Sequence, residues 1–260
     1  LKLKRKYLFE FEDFKWYPTD FRNIQTDFLQ FIMQRFDVFS RVYPRLFEVV
    51  TTTKIYHFTD LCSGGGGAIL QLRKHFKTTF TKPFKAVLTD LYPNKKAFQE
   101  LYEKSNGEIS FIGESVDVKD DLQHLKGIWT VFNAFHHLSP LHAVRLLSQA
   151  KKYKKPIAVM EPLDRNIFMI FLQSFFLIIG LFFFIPFAKS FNFKAFLFTY
   201  LLPLIPLFII WDGWISVLKV YNPDILLKMT TLADPDKQFN WKVGYEKHQF
   251  GKVIYLIGMP

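Results

Sequence analysis

Between residues 55 and 161 the chain carries five short runs of β-branched, aromatic and aliphatic residues: IYHFTDL (55–61), FKAVLTD (84–90), ISFIG (109–113), IWTVFN (128–133) and PIAVME (156–161). Three of the intervals, AILQLRKHF, NKKAFQELYEK and SPLHAVRLLSQAKKY, place apolar residues at helical spacing, and the last has Ser139 as an N-cap with Pro140 at the first helical position. Apolar strands alternating with helices predict an α/β fold, a parallel sheet covered by helices on both faces. Further on, NPDILLKMTTL (222–232) predicts a helix capped by Asn222, and FNWKVGYEK and KVIYLIGMP predict a strand hairpin added to the sheet edge. Upstream, Phe21, Ile24, Phe28 and Phe31 recur at helical spacing after Thr19, a suitable N-cap, and Pro44 breaks a second helical stretch. Residues 1–54 therefore read as a helical cap.

The first strand run leads into TDLCSGGGGAILQL (59–72), where four consecutive glycines stand before a helix. A strand, a glycine loop and a helix N-terminus together aim backbone N–H groups at a ligand that comes close to the main chain. The dinucleotide pattern G-x-G-x-x-G fits poorly, because counting from Gly64 or Gly65 puts Ile69 or Leu70 where the last small residue belongs. Starting from the acid, Asp60-Leu61-Cys62-Ser63-Gly64-Gly65-Gly66 follows D-x-G-x-G-x-G with Cys62 at the first glycine position. In this motif and its companions the chain resembles the class I S-adenosylmethionine-dependent methyltransferases, over about 55–162 and again over 222–260.

That resemblance implies a Rossmann-like sheet, S-adenosyl-L-methionine as cofactor, and a donor site built from Asp60, Cys62, Ser63, Gly64, Gly65 and Gly66. It assigns Asp90, at the end of the second run, to the ribose hydroxyls, a role that suits a carboxylate able to accept two charge-assisted hydrogen bonds. The alternative for Asp90 is to cap the turn DLYPN. Asp117 is placed near the adenine amino group, with Glu114 as a competitor, and Leu91 and Val118 are counted with the donor-site residues. Asn133 in VFNAFHHLSP falls near the methionine moiety. His136 and His137 face the cleft as general-base candidates, since neutral imidazole can take a proton from a hydroxyl, while one of them packing structurally is the alternative. Cys62, the only cysteine, agrees with a reducing compartment and is read as a small packing group, although a thiol beside a helix N-terminus also has nucleophilic potential. No metal is expected, because neither histidine has a third ligand at suitable spacing.

From 166 to 218 the alternation is interrupted by an apolar insertion. IFMIFLQSFFLIIGLFFFIPF (167–187) has no charge, AFLFTYLLPLIPLFIIWDGWISVL (195–218) has only Asp212, and AKSFNFK joins them. Each reaches the length of a membrane-spanning helix, so a hydrophobic helical hairpin at a membrane is expected, with the catalytic domain on the cytoplasmic side. Lys189 and Lys194 in the joining loop run against the positive-inside tendency and Pro203 and Pro206 interrupt the second segment, which leaves a kinked hairpin in one leaflet as the alternative. The division is then 1–54 cap, 55–165 with 219–260 donor-binding domain, and 166–218 insertion. Asp212 is either a functional acid or an interfacial anchor with Trp211 and Trp214. It joins Trp16, Tyr17 and Arg22 of the cap, near Glu12 and Asp13, as candidate acceptor residues.

The formal charge is +11, with clusters at KLKRK (2–6) and KKYKK (151–155) that lack the aromatic RNA-binding motifs or zinc spacings that point to nucleic acid; solvated surface lysines are one reading and a basic membrane-facing rim the other. The sequence thus reads as a membrane-associated methyltransferase acting on a hydrophobic or lipid-like small molecule. The alternatives are an aminopropyl or other group transferase on the same fold and a non-catalytic membrane scaffold. Oligomeric state is left open.

Overall fold

A computed structural model describes residues 8–162, 178–187, 191–248 and 251–260. Its centre is a seven-stranded sheet in the order β3-β2-β1-β4-β5-β7-β6. The strands are β1 (His57–Leu61), β2 (Lys85–Leu88), β3 (Ile109–Phe111), β4 (Ile128–Phe132), β5 (Ile157–Glu161), β6 (Asn240–His248) and β7 (Gly251–Met259). The first five are parallel, and the β6–β7 hairpin is antiparallel, with β7 paired to β5. Every residue of β4 and β5 is buried, as a parallel strand covered on both faces requires.

The chain runs outward from β1 to β3, then crosses back to lay β4 on the other side of β1. Connections leaving β1 and β4 therefore diverge, and a crevice opens at the carboxyl ends of these strands, the usual ligand position in such sheets. The predicted helices form at the expected places: α3 (Gly67–Thr78), α4 (Lys95–Lys104), α5 (Pro140–Lys152) and α9 (Pro223–Ala233). Ser139 and Asn222 act as the expected caps, accepting hydrogen bonds from the backbone N–H of His142 and Ile225. One face of the sheet is filled by α2 (Tyr43–Thr53) and α3, with Leu46, Phe58, Leu72 and Phe76 in its core; α5 and α9 cover the other around Trp129, Leu146 and Met229.

A third apolar cluster lies apart from the sheet. It joins α1 (Thr19–Arg35), through Phe21, Ile24 and Phe28, to the insertion, through Leu181, Ile185, Ile205 and Ile209. Thr19 is the first residue of α1 and its side chain caps nothing; Pro18 holds the cap position. The described part of the insertion comprises α6 (Ile178–Phe187), α7 (Phe193–Leu201) and α8 (Leu204–Lys219).

Of the two expected membrane-length helices, the second is not observed as a single helix among the described residues. Among the described residues no single helix is long and apolar enough to cross a membrane, and the first segment falls partly on 163–177, outside them. The second is broken: α7 and α8 meet at 76°. Pro203 explains the break, because it has no N–H to continue the ladder and its ring pushes Leu202 out of the helical region, to φ −123°, ψ 85°. In place of a free-standing hairpin, the described insertion packs its inner face on α1.

Phe28 is fully buried where α1 meets the insertion. Phe28→Ala is expected to cost about 3–5 kcal/mol, the usual range for emptying such a site. The loss should appear in amide hydrogen exchange as early opening of α1 and α8, with the β4 and β5 amides still protected.

Candidate active site

The glycine loop is tied into the ends of β1 and β2 by its own backbone. Ser63 N–H donates to the Thr89 carbonyl at 2.9 Å, and Gly66 N–H to the Ser63 carbonyl at 2.7 Å. Gly64 N–H donates to Asp90 Oδ2 at 2.8 Å, while Tyr92 N–H donates to the other oxygen, also at 2.8 Å. The four glycines answer to two demands. Gly64 and Gly66 adopt left-handed φ values of 54° and 73°. At the other two the space belongs to the cap: a Cβ on Gly65 would stand 2.4 Å from Gln30 Oε1, and one on Gly67 2.3 Å from Gln30 Cγ. The glycines thus admit α1 as well as any ligand.

Above this loop lies a cavity of about 360 Å³. Its lining includes Asp60, Cys62, Ser63, Gly64, Gly65, Asp90, Leu91, Asp117, Val118 and Asn133, so every expected donor-site residue except Gly66 meets there. Gly66 is turned into the helix–strand packing, where a Cβ would strike Leu101 and Leu88. From the cap come Glu12, Asp13, Arg22, Leu29, Gln30 and Met33. Glu114 does not line the cavity, whereas Asp117 does, with its carboxylate accepting from the Lys119 N–H.

Acids dominate this wall. Asp60, only 2% exposed, accepts a 2.6 Å hydrogen bond from Thr130 Oγ1. Burial nevertheless pushes its carboxyl up to about 7, with the charge of Asp90 acting in the same direction. The Cys62 thiol is raised well above its ordinary value by desolvation and by Asp90, Asp60 and Asp117, so it stays protonated and has no thiolate character. Two neutral groups bring hydrogen-bonding capacity that no described residue meets: Asn133 Oδ1, on a residue with φ 52° at the end of β4, and both amide atoms of Gln30.

The histidines are not equivalent. His136 is buried behind the cavity, its Nδ1 2.7 Å from Glu161 Oε2, and it lines a second cavity of about 240 Å³ instead. Glu161 also accepts from the backbone N–H of Phe135 and His136 and so fixes the turn Phe135–His137. His137 lines both cavities. Its Nδ1 is 2.9 Å from Asp13 Oδ1 and 3.2 Å from Glu10 Oε2, and its Nε2 is 3.3 Å from Glu12 Oε1. Burial opposes its charge, but Glu10, Asp13 and Glu12 outweigh burial and raise its pKa to about 10. As an imidazolium it has no lone pair to accept a proton, unlike the neutral base expected from the sequence. Glu12 moves the other way: burial, with Glu10, Asp212 and Asp13 beside it, lifts its carboxyl to about 7 against the pull of His137.

The candidate acceptor residues separate. Arg22 lines the first cavity, with its guanidinium 4.3 Å from the Tyr92 ring centre and donating to the Phe14 carbonyl at 2.7 Å. Asp212, 2% exposed, lines the second cavity and anchors the cap, accepting from Phe11 N–H at 2.7 Å, Glu12 N–H at 3.3 Å and Gln25 Nε2 at 3.0 Å. Tyr17 is buried in the third cluster, its hydroxyl donating to Gln25 Oε1, and lines neither cavity. Trp16 is exposed and stacks on Phe14, also away from both. The residues that sequence reasoning missed are Glu10, Gln30 and Glu161. Of these only Glu10 had a signal, the spacing of acids in FEFEDF (9–14), where charges interrupt an otherwise aromatic run. The expectation of no metal ligand set is also altered, because the fold brings Glu10 to His136 and His137 with ligand atoms all within 4.8 Å of one another.

No protein-family model and no curated protein sequence matches the chain. Solved structures do. The structure of the plantazolicin methyltransferase BpumL in complex with SAH matches over 93% of this chain and 88% of that one, with a TM-score of 0.52 and 14% identity. The methyltransferase domain of bacterial CtHen1-CN matches over 86% of this chain and 100% of that domain, with a TM-score of 0.52 and 11% identity. The chain has the fold of these methyltransferases. In this methyltransferase fold the larger cavity sits at the β1–β4 switch, the cap closes over it, and the insertion lines the second cavity beside it through Ile209, Asp212 and Val217.

Asp60 supplies a test of the site's electrostatics. Its folded pKa of about 7 lies above the ordinary carboxylate value of 3.8, so the folded state holds its proton more tightly. Stability from this group is fully present below pH about 4 and declines as the pH rises through about 7, by on the order of 4 kcal/mol. Asp60→Asn, which keeps an acceptor for Thr130, is expected to flatten this decline in denaturant unfolding series measured across that window.

Proposed function

We propose that the chain is an S-adenosyl-L-methionine-dependent methyltransferase acting at a membrane surface on a hydrophobic or lipid-like small molecule. The observation that carries the donor assignment is the hollow at the β1–β4 switch, walled by Asp60, Asp90 and Asp117 and floored by the glycine loop. Its carboxylates suit a ligand bearing a sulfonium and an ammonium group and disfavour the pyrophosphate of a dinucleotide. The unmet polar atoms of Gln30 and Asn133 add neutral hydrogen-bonding capacity at the same wall. Asp90 would hold the ribose hydroxyls, the glycine loop and Gln30 the amino-acid end, and Asp117 with Leu91 and Val118 the adenine.

The donor supplies a methyl group already activated on sulfur. What remains for the protein is to align the attacking atom and keep water out. The second cavity shares Glu12, Leu29, Met33, Asn133 and His137 with the first and is walled by Ile32, Val38, Ile209, Trp214 and Val217. An apolar chamber joined to the donor cavity fits a hydrophobic acceptor. Glu12, within it, is the group positioned to take a proton from that acceptor.

The membrane reading rests on α8, whose inner side lines this chamber while Leu204, Leu207, Trp211 and Leu218 on the same helix are exposed. Phe183, Phe187, Phe193 and Leu201 extend the exposed apolar surface over α6 and α7. Apolar area of this extent on neighbouring helices suits contact with acyl chains. The bent α7–α8 pair fits lying in one leaflet better than crossing the bilayer, and a net charge of +11 favours anionic headgroups. An acceptor dissolved in the membrane would then reach the chamber beside α8.

Titration calorimetry with S-adenosyl-L-methionine tests the donor assignment. The parent chain is expected to bind one equivalent, and Asp90→Ala to bind about 10–100-fold more weakly, as for loss of charged hydrogen bonds. Absence of binding to the folded parent chain would remove the enzyme reading in favour of a scaffold. Incubation with extracted lipids should yield a methylated product and S-adenosylhomocysteine, whereas an aminopropylated product would change the reaction class. For the surface, vesicle co-sedimentation should resist high salt and weaken in Phe183→Ser/Leu207→Ser; release by salt alone would reduce attachment to electrostatics.

A further inference from the structure

Under the cap, three side chains each anchor one polar atom on a charged neighbour and turn the other toward a common point. Glu10, fully buried, holds Oε1 2.9 Å from Lys219 Nζ and presents Oε2 to His137 Nδ1 at 3.2 Å and to His136 Nε2 at 3.9 Å. The other nitrogen of His136, Nδ1, is 2.7 Å from Glu161 Oε2. The other nitrogen of His137, Nε2, is 3.3 Å from Glu12 Oε1. The ligand atoms of the three residues lie within 4.8 Å of one another, and Asp13 Oδ1 stands 2.9 Å from the same His137 nitrogen.

An imidazole that binds a metal characteristically gives its remaining N–H to a carboxylate, which fixes the tautomer and aims the free lone pair. Here both imidazoles have that backing, on opposite ring atoms and from different elements, β5 for His136 and the cap for His137. Glu10, Glu161 and Asp212 are buried in this region, with Glu12 half-buried and Asp13 exposed beside them, and Lys219 reaches only Glu10 and Asp13, which leaves negative charge for a divalent cation to offset.

We propose that Glu10, His136 and His137, with Asp13 as a fourth ligand, bind one divalent first-row transition ion, of the class Mn²⁺, Fe²⁺, Co²⁺ or Zn²⁺. Two imidazole nitrogens beside carboxylate oxygens favour these ions over Ca²⁺ and Mg²⁺, which prefer oxygen alone. At His137 Nδ1 the ion and a proton are alternatives. Because His136, His137 and Glu12 all line the second cavity, the ion has an open side toward the chamber. A role in holding an oxygen of the acceptor there rests on the methyl-transfer reading; the site itself does not.

The test is a Co²⁺ titration of the metal-stripped full chain, followed by absorption and by proton NMR. One ion per chain is expected, with hyperfine-shifted N–H resonances from two imidazoles. Glu161→Gln, which removes the charge behind His136 and keeps a side-chain acceptor for the turn Phe135–His137, is expected to weaken Co²⁺ binding by about 10–100-fold. Glu10→Gln should weaken it at least as much, and Asp224→Asn, at the start of α9, should leave it unchanged. Lack of saturable binding by the folded parent chain, a Co²⁺ complex without shifted imidazole resonances, or Glu10 and Glu161 variants that bind Co²⁺ as tightly as the parent chain would each overturn the site and leave an ion-pair network. Calorimetry with S-adenosyl-L-methionine on the same preparation reads the donor site separately, so failure of one assignment is distinguishable from failure of the other.

Discussion

The close approach of α1 to the glycine loop is the constraint from which the site follows. Gln30 occupies the volume that side chains at positions 65 and 67 would fill, so the cap helix lies directly on the loop that ends β1. Seated there, α1 roofs the crevice that the β1–β4 divergence opens and contributes Leu29, Gln30 and Met33 to its wall. The outer side of the same helix carries Phe21, Ile24 and Phe28, against which the insertion packs. One helix therefore sets the height of the larger cavity and the position of the apolar chamber beside it.

The segment before α1 is fixed by charge as well as by the packing of Phe9 and Phe11 on Trp211 and Phe208. Asp212 accepts two backbone N–H groups from Phe11 and Glu12, and Lys219 reaches Glu10 and Asp13. Both come from α8, while His137 meets the same acids from the end of β4. Buried carboxylates at this density are costly unless each has a partner, so removing one member leaves another uncompensated. The arrangement ties three distant parts of the sequence together where the two cavities join, which is where a transfer reaction needs its geometry held most firmly.

The sheet was legible because its signals are local. Apolar runs, the caps Ser139 and Asn222, and a strand hairpin near the C-terminus follow from rules acting over a few residues, and each appears where it was expected. Asp60, Asp90 and Asn133 were legible for the same reason, standing at strand ends in a recognisable order. The histidines were legible only as a pair, since their protonation and orientation depend on Glu10, Glu12, Asp13 and Glu161, which arrive from elsewhere in the chain. Gln30 had no local signature, because its role comes from the angle at which α1 crosses the loop. The insertion misled for a related reason: hydropathy counts apolar residues without weighing Pro203, which bends α7 against α8 and lets part of their apolar surface pack on α1.

The central claim is that the hollow between the glycine loop and Asp90 receives a sulfonium nucleoside. A crystal structure of the chain with S-adenosylhomocysteine tests it most directly. Ribose density is expected within hydrogen-bonding distance of Asp90, with the amino-acid end against Gly64, Gly65 and Gln30. Ligand density at any other place in a well-ordered crystal, with this hollow filled only by solvent, would contradict it.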